Sequence, residues 1–167
     1  MRSMAIKVNV SQLDCEKIDN FLENAGYKRQ LKKYHCTFGF IEKMIPEEET
    51  VTFGQKITQL LQDYIDPLQP FYEVEKVAHV FEHVIAFLPT AKSLTQLKEI
   101  NSWLSEKVKE VSEGRWELNE ETQPQAYIPH LTLWRTRRLD DRFKKLEEVA
   151  ATHPAYHLSQ AAYVLFN

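Results

Sequence analysis

The chain has 167 residues, 43% hydrophobic and 27% charged, with both signs interspersed and a net charge of −3. That is enough apolar material for a full core, and too mixed a charge pattern for a disordered chain. The acidic balance, with a pI near 6.1, argues against a general duplex-DNA-binding protein, and no apolar run approaches the roughly 18 residues of a membrane span.

Alternating Ile6, Val8 and Val10 read as an opening strand near 5–10 and not as a signal peptide. Ser11 is the expected N-cap of a helix near 12–25, with Leu13, Ile18, Phe21 and Leu22 as its apolar face and Gly26 as its stop. YHCTFGFI predicts a strand at about 34–41. The acidic PEEET that follows is a solvated loop or a first helical turn, where carboxylates favour the dipole. Phe53, Ile57, Leu60, Leu61 and Tyr64 then recur at helical spacing until Pro67. Residues 71–88 predict two strands with a bend near 79–82, stopped by Pro89. Ser93 is the expected cap of the clearest helix, whose stripe is Leu94, Leu97, Ile100, Trp103 or Leu104, and Val108. Trp116 and Leu118 suggest a short strand inside a polar stretch. A further strand is expected at 127–134, a charged helix near 139–151 capped by Asp140 and Asp141, and a closing strand from YHLSQAAYVLF. The order is β-α-β-α-β-β-α-β-α-β in a single domain, 1–167. Cys15 and Cys36 form neither a CxxC pair nor a disulfide framework, so a reducing cytoplasm is the expected home and a monomer the expected state.

Two of these strands carry the same polar pair. YHCTFGF holds His35 and Thr37, and YIPHLTLWR holds His130 and Thr132. In a strand, residues i and i+2 share a face about 7 Å apart along the chain. Each His and Thr therefore face one way, while Cys36, Phe38, Leu131 and Leu133 face the other. If the halves face each other, two imidazoles and two hydroxyls converge. That set suits phosphodiester chemistry: one imidazole takes a proton from an attacking oxygen, the other protonates the departing one, and the hydroxyls hold the non-bridging oxygens. The arrangement requires no metal and no cofactor. With ten threonines and six histidines in the chain, chance produces two such matches about 1% of the time.

The paired motifs resemble those of the 2H phosphoesterase superfamily, whose signature is two H-x-T-hydrophobic motifs, in its 2′-5′ RNA ligase and cyclic phosphodiesterase branch. HCTFGFI is similar to the first motif, although Cys36 and Phe38 stand where Leu is commoner. YIPHLTLWR is similar to the second with its flanks, Tyr127, Pro129 and Arg135. The resemblance covers essentially the whole chain. It implies an α+β fold: two-lobed, with pseudo-symmetric antiparallel sheets and outer helices around a central cleft. It also implies hydrolysis of a 2′,3′-cyclic phosphate or a 2′-5′ linkage in RNA or a nucleotide. His35 and His130 would be the acid–base pair, and Thr37 and Thr132 the phosphate-holding hydroxyls. Arg135, Tyr34, Phe81 and Tyr127 would be substrate-binding. The alternative is a non-catalytic module that holds AMP-like ligands in the same cleft.

Other candidates carry less. His79 and His83 lie four apart in a strand region but lack a third metal ligand at recognisable spacing. His153 and His157 enter the last strand beside Pro154. Arg137, Arg138 and Arg142 cluster beyond the second motif and read as a solvated helix start. Trp134, like Tyr34, Phe81 and Tyr127, is a candidate to stack a base.

Overall fold

A computed structural model of the protein describes residues 1–150, 152 and 154–167. The described residues form an α+β fold of six antiparallel strands and four α-helices: β1 Arg2–Val10, α1 Gln12–Asn24, β2 His35–Ile45, α2 Thr50–Ile65, β3 Phe71–Val80, β4 Val84–Pro89, α3 Ala91–Val111, β5 Leu131–Arg135, α4 Asp141–Ala150 and β6 Ala155–Phe166. The strands hydrogen-bond in the order β1-β2-β5-β4-β3-β6 and close into a barrel. Long ladders join β1 to β2, β1 to β6 and β3 to β4. Two seams are short: β2 registers with β5 at Cys36 and Leu131, and β3 registers with β6 along 71–73. No helix among the described residues is long and apolar enough to cross a membrane.

Alternation along β1 sends Met4, Ile6, Val8 and Val10 into the core and leaves Lys7 on the opposite face. Ser11 caps α1 by accepting from the Asp14 amide at 3.3 Å, and the chain leaves that helix through Gly26 at φ 97°. Ile18, Phe21 and Leu22 are buried as the spacing requires, but Leu13 is exposed at the first turn. The acidic segment 47–49 is a single 3₁₀ turn leading into α2.

The clearest helix starts earlier than its sequence suggests. Thr90 is the N-cap, accepting from the Ser93 amide, whereas the Ser93 hydroxyl ties the helix to β3 through Phe71 and Glu73. Its buried stripe is Leu97, Ile100, Leu104 and Val108; Trp103 stays half-buried and stacks on Tyr64 of α2. Trp116 and Leu118 are buried without forming a strand. Their segment is tied down piecewise: Ser112 Oγ accepts from the Trp116 amide, and the Asn119 amide donates to Phe40.

Candidate functional site

The two motifs meet centre to centre. Cys36 and Leu131 are the registered pair of the β2–β5 seam, and both are fully buried. Counting outward in an antiparallel pair sets Thr37 beside His130 and His35 beside Thr132, all four on the face away from the core. Each histidine is thus neighboured by the threonine of the other motif. β1 extends the same rows, because Lys7 opposes Thr37 and Asn9 opposes His35. β5 itself begins at Leu131, so His130 precedes the ladder and 127–130 is not the strand the sequence suggests.

Tyr127 holds that non-strand approach. Its hydroxyl donates to the Thr37 carbonyl at 2.7 Å and lies 3.6 Å from the Cys36 sulfur. Burial in this position pushes the phenol well above its ordinary pKa. Tyr127 is therefore a structural wall linking the two motif strands and not a face on which a base can lie flat.

A hollow of about 540 Å³ opens over the motifs, lined by Thr37, Phe81, Tyr127, His130, Thr132 and Arg135 among others. His35 stands at its margin, close enough to feel the charge of His130. Phe81 is half-exposed and edge-on to the His130 ring at 4.9 Å. It sits in the β3–β4 turn, where both Phe81 and Glu82 adopt positive φ, 51° and 64°. Such conformations are strained for bulky side chains and usually fall to Asn or Gly. The strain presents an aromatic ring to the hollow.

The two imidazoles are held differently. His130 Nδ1 lies 3.0 Å from the Ile128 carbonyl, which can only accept, so Nδ1 carries the proton and Nε2 of the neutral ring is left as an acceptor. His35 Nδ1 is buried with no hydrogen-bond partner in the protein. Burial lowers the His35 pKa to about 4, reinforced by the Lys7 and Lys32 ammonium groups and opposed by the nearby Lys33 backbone. Burial lowers that of His130 too; the Ile128 carbonyl opposes this and Arg135 adds to it. In the free protein both rings are neutral near pH 7.

Tyr34 lies outside this site. It is buried, and its hydroxyl donates to Asp19 at 2.6 Å, so it cannot stack on a ligand. Trp134 packs against Tyr27, and the Arg142 guanidinium lies over Tyr27 at 4.3 Å while pairing with Asp140 at 2.7 Å. Arg137 and Arg138 are exposed and do not line the hollow. His79 Nε2 donates to the Thr136 carbonyl at 2.9 Å, and His83 Nδ1 contacts the Phe81 carbonyl. No group of three metal-ligating side chains occurs among the described residues. His157 packs on Phe71, and His153 lies outside the described residues. Lys7 and Asn9 are the additions that the motifs do not reveal; their signal is positional, the outward alternation of β1 beside a His-x-Thr strand.

No protein-family model matches the chain, and no curated protein matches it.

Proposed function

We propose that the protein is a metal-independent phosphoesterase of the 2H type, acting on 2′,3′-cyclic phosphates or 2′-5′ linkages of nucleotides or RNA ends. We also read the barrel as two lobes, β6–β1–β2 and β3–β4–β5, facing each other pseudo-symmetrically across the cleft; the short seams support that division. The observation that carries the functional reading is the centre-to-centre pairing of the motifs, which sets two His–Thr couples around one point.

In this reading His130 Nε2, whose lone pair the Ile128 contact leaves available, takes a proton from water as the water oxygen attacks phosphorus. One ester P–O bond breaks, and His35 passes its proton to the departing sugar oxygen. His130 then gives up its proton to solvent and His35 takes one back from solvent, so that both rings are reset as a phosphomonoester leaves. Thr37, Thr132 and Arg135 hold the non-bridging oxygens. His35 must be charged to act as the acid, and an anionic phosphate beside it supplies the field that favours the imidazolium.

The test is turnover of 2′,3′-cyclic AMP and of an oligonucleotide ending in a cyclic phosphate. His35→Ala and His130→Ala should each lose at least about 10²-fold in kcat while remaining folded. Chelation by EDTA should leave the rate unchanged. Near-wild-type activity in either variant, or loss on chelation that a divalent cation restores, would sink the mechanism. The neutrality of both rings in the free protein favours one second reading, a module that binds AMP-like ligands without converting them. Tight nucleotide binding with no product would establish it.

A further inference from the structure

His35 stands between two hollows. The first is the motif site. The second, about 470 Å³, opens where β1 runs into α1 and is lined by Asn9, Arg29, Lys32, Lys33 and two carboxylates, Glu16 and Asp19, among others. Asn9 joins the two, because it faces His35 across β1–β2 and Gln160 across β1–β6. Cross-strand neighbours sit ~5 Å apart, so one ligand can reach both hollows.

Two features of the second hollow point to a ligand. Asn9 is only 5% exposed, yet its Oδ1 accepts no hydrogen bond, just as His35 Nδ1 beside it makes none. Buried polar atoms without partners are rare in a folded protein and costly. The second feature is charge. Lys7 and Lys32 lie close enough to His35 to act on its ring, Lys33 acts on Lys7 and Arg135 on Lys32, and none of the four forms an ion pair with a described carboxylate. The segment 28–33, Lys-Arg-Gln-Leu-Lys-Lys, supplies two of these four in a chain whose net charge is −3. Asp19, on the wall of this hollow, counters part of it at Lys32, whose pKa is nonetheless lowered by burial and by Arg135. Asp19 Oδ1 already accepts from the Tyr34 hydroxyl and the Gln30 amide.

We infer that this second hollow is an anion subsite that holds the 5′-phosphate of a nucleotide whose 2′- or 3′-phosphate lies at His35 and His130. Lys33 and Lys32 contact the 5′-phosphate, and the Asn9 amide, rotated toward the hollow, accepts through Oδ1 from a sugar hydroxyl between the two phosphates. The inference rests on the phosphoesterase reading and narrows its substrates to those with a second phosphate, as at the end of a strand.

The experiment compares adenosine 3′-monophosphate with adenosine 3′,5′-bisphosphate on the full chain. Calorimetry gives the affinities, and the imidazole proton resonances of His35 and His130 report on the first phosphate. The bisphosphate should bind about tenfold tighter or better. Lys33→Gln should remove most of that advantage while leaving monophosphate affinity within about twofold, since Lys33 does not line the motif hollow. Equal affinities, or an advantage that survives Lys33→Gln, would overturn the subsite alone, provided the monophosphate shifts the imidazole resonances. If neither ligand shifts them, the phosphoesterase reading fails and the subsite fails with it.

Discussion

His35 and His130 hold matching places in their motifs, yet the protein treats their rings unequally. His130 has its tautomer set by the Ile128 carbonyl. His35 Nδ1 makes no well-formed hydrogen bond, although the Lys33 backbone two residues before it favours the charged ring; burial with Lys7 and Lys32 beside it still brings its pKa to about 4. This difference has a consequence for stability. The unfolded chain protonates His35 near the ordinary value of about 6.5, while the folded chain resists until about pH 4. Between those values the unfolded state binds more protons, so stability rises with pH. The contribution is complete above about pH 6.5 and is lost as pH falls toward 4. His130, also lowered, acts in the same direction. Thermal unfolding followed from pH 7.5 to 4 should therefore show a shallower loss in His35→Gln than in the wild type. Parallel curves would show that His35 is not the neutral, buried ring described above. The histidines and threonines were legible in the sequence because their spacing is itself the signal. The inequality of the two rings was not, since it arises from burial and from Lys7 on another strand, which acts on His35.

At the scale of elements, the order of strands and helices was readable from periodicity, and the departures have local causes. Trp116 and Leu118 alternate as strand residues do, but side chains of Ser112 and Gln123 take up the backbone groups that a ladder would need. The early start of α3 follows from two hydroxyl residues three positions apart, Thr90 and Ser93. Either can cap, and Ser93 is drawn off to β3. What no periodicity shows is how α3 fixes the rim of the site. Asn101, fully buried in that helix, donates through Nδ2 to the Phe38 carbonyl at 2.7 Å and the Thr122 carbonyl at 2.9 Å. Phe38 follows Thr37, and Thr122 lines the motif hollow. Asn101→Leu keeps the volume but leaves both carbonyls without this donor, which costs about 1–3 kcal/mol for each group left unsatisfied. Denaturant unfolding should show a loss of that order with the m-value unchanged. Because Asn101 contacts no ligand, kcat should fall through displaced geometry with less change in KM. A variant as stable as the wild type would mean that the helix does not brace the motif strand.

Over the whole molecule, charge is arranged against its own sum. Acidic residues outnumber basic ones, 24 to 21, yet Lys7 and Lys32 stand near His35, with Lys33 near Lys7 and Arg135 near Lys32. Mutual repulsion registers in the protein itself: burial is the first cause that lowers the pKa of both Lys7 and Lys32, and Lys33 acts further on Lys7 as Arg135 does on Lys32. A cluster that the fold does not neutralise is a standing attraction for an anion and a standing penalty in its absence. An anion that binds there should release the penalty, and both effects should weaken as salt screens them, with a Debye length of about 10 Å at 0.1 M. The affinity for a nucleotide bisphosphate should therefore fall between about 50 and 300 mM salt, and more steeply than that for a monophosphate. Stability without ligand should move the other way, rising slightly as the repulsion is screened. Calorimetric titrations and thermal melts over one salt series measure both. A nucleotide affinity indifferent to salt would mean that the four cations serve only solubility, since charge held this close to a bound phosphate must contribute to its affinity.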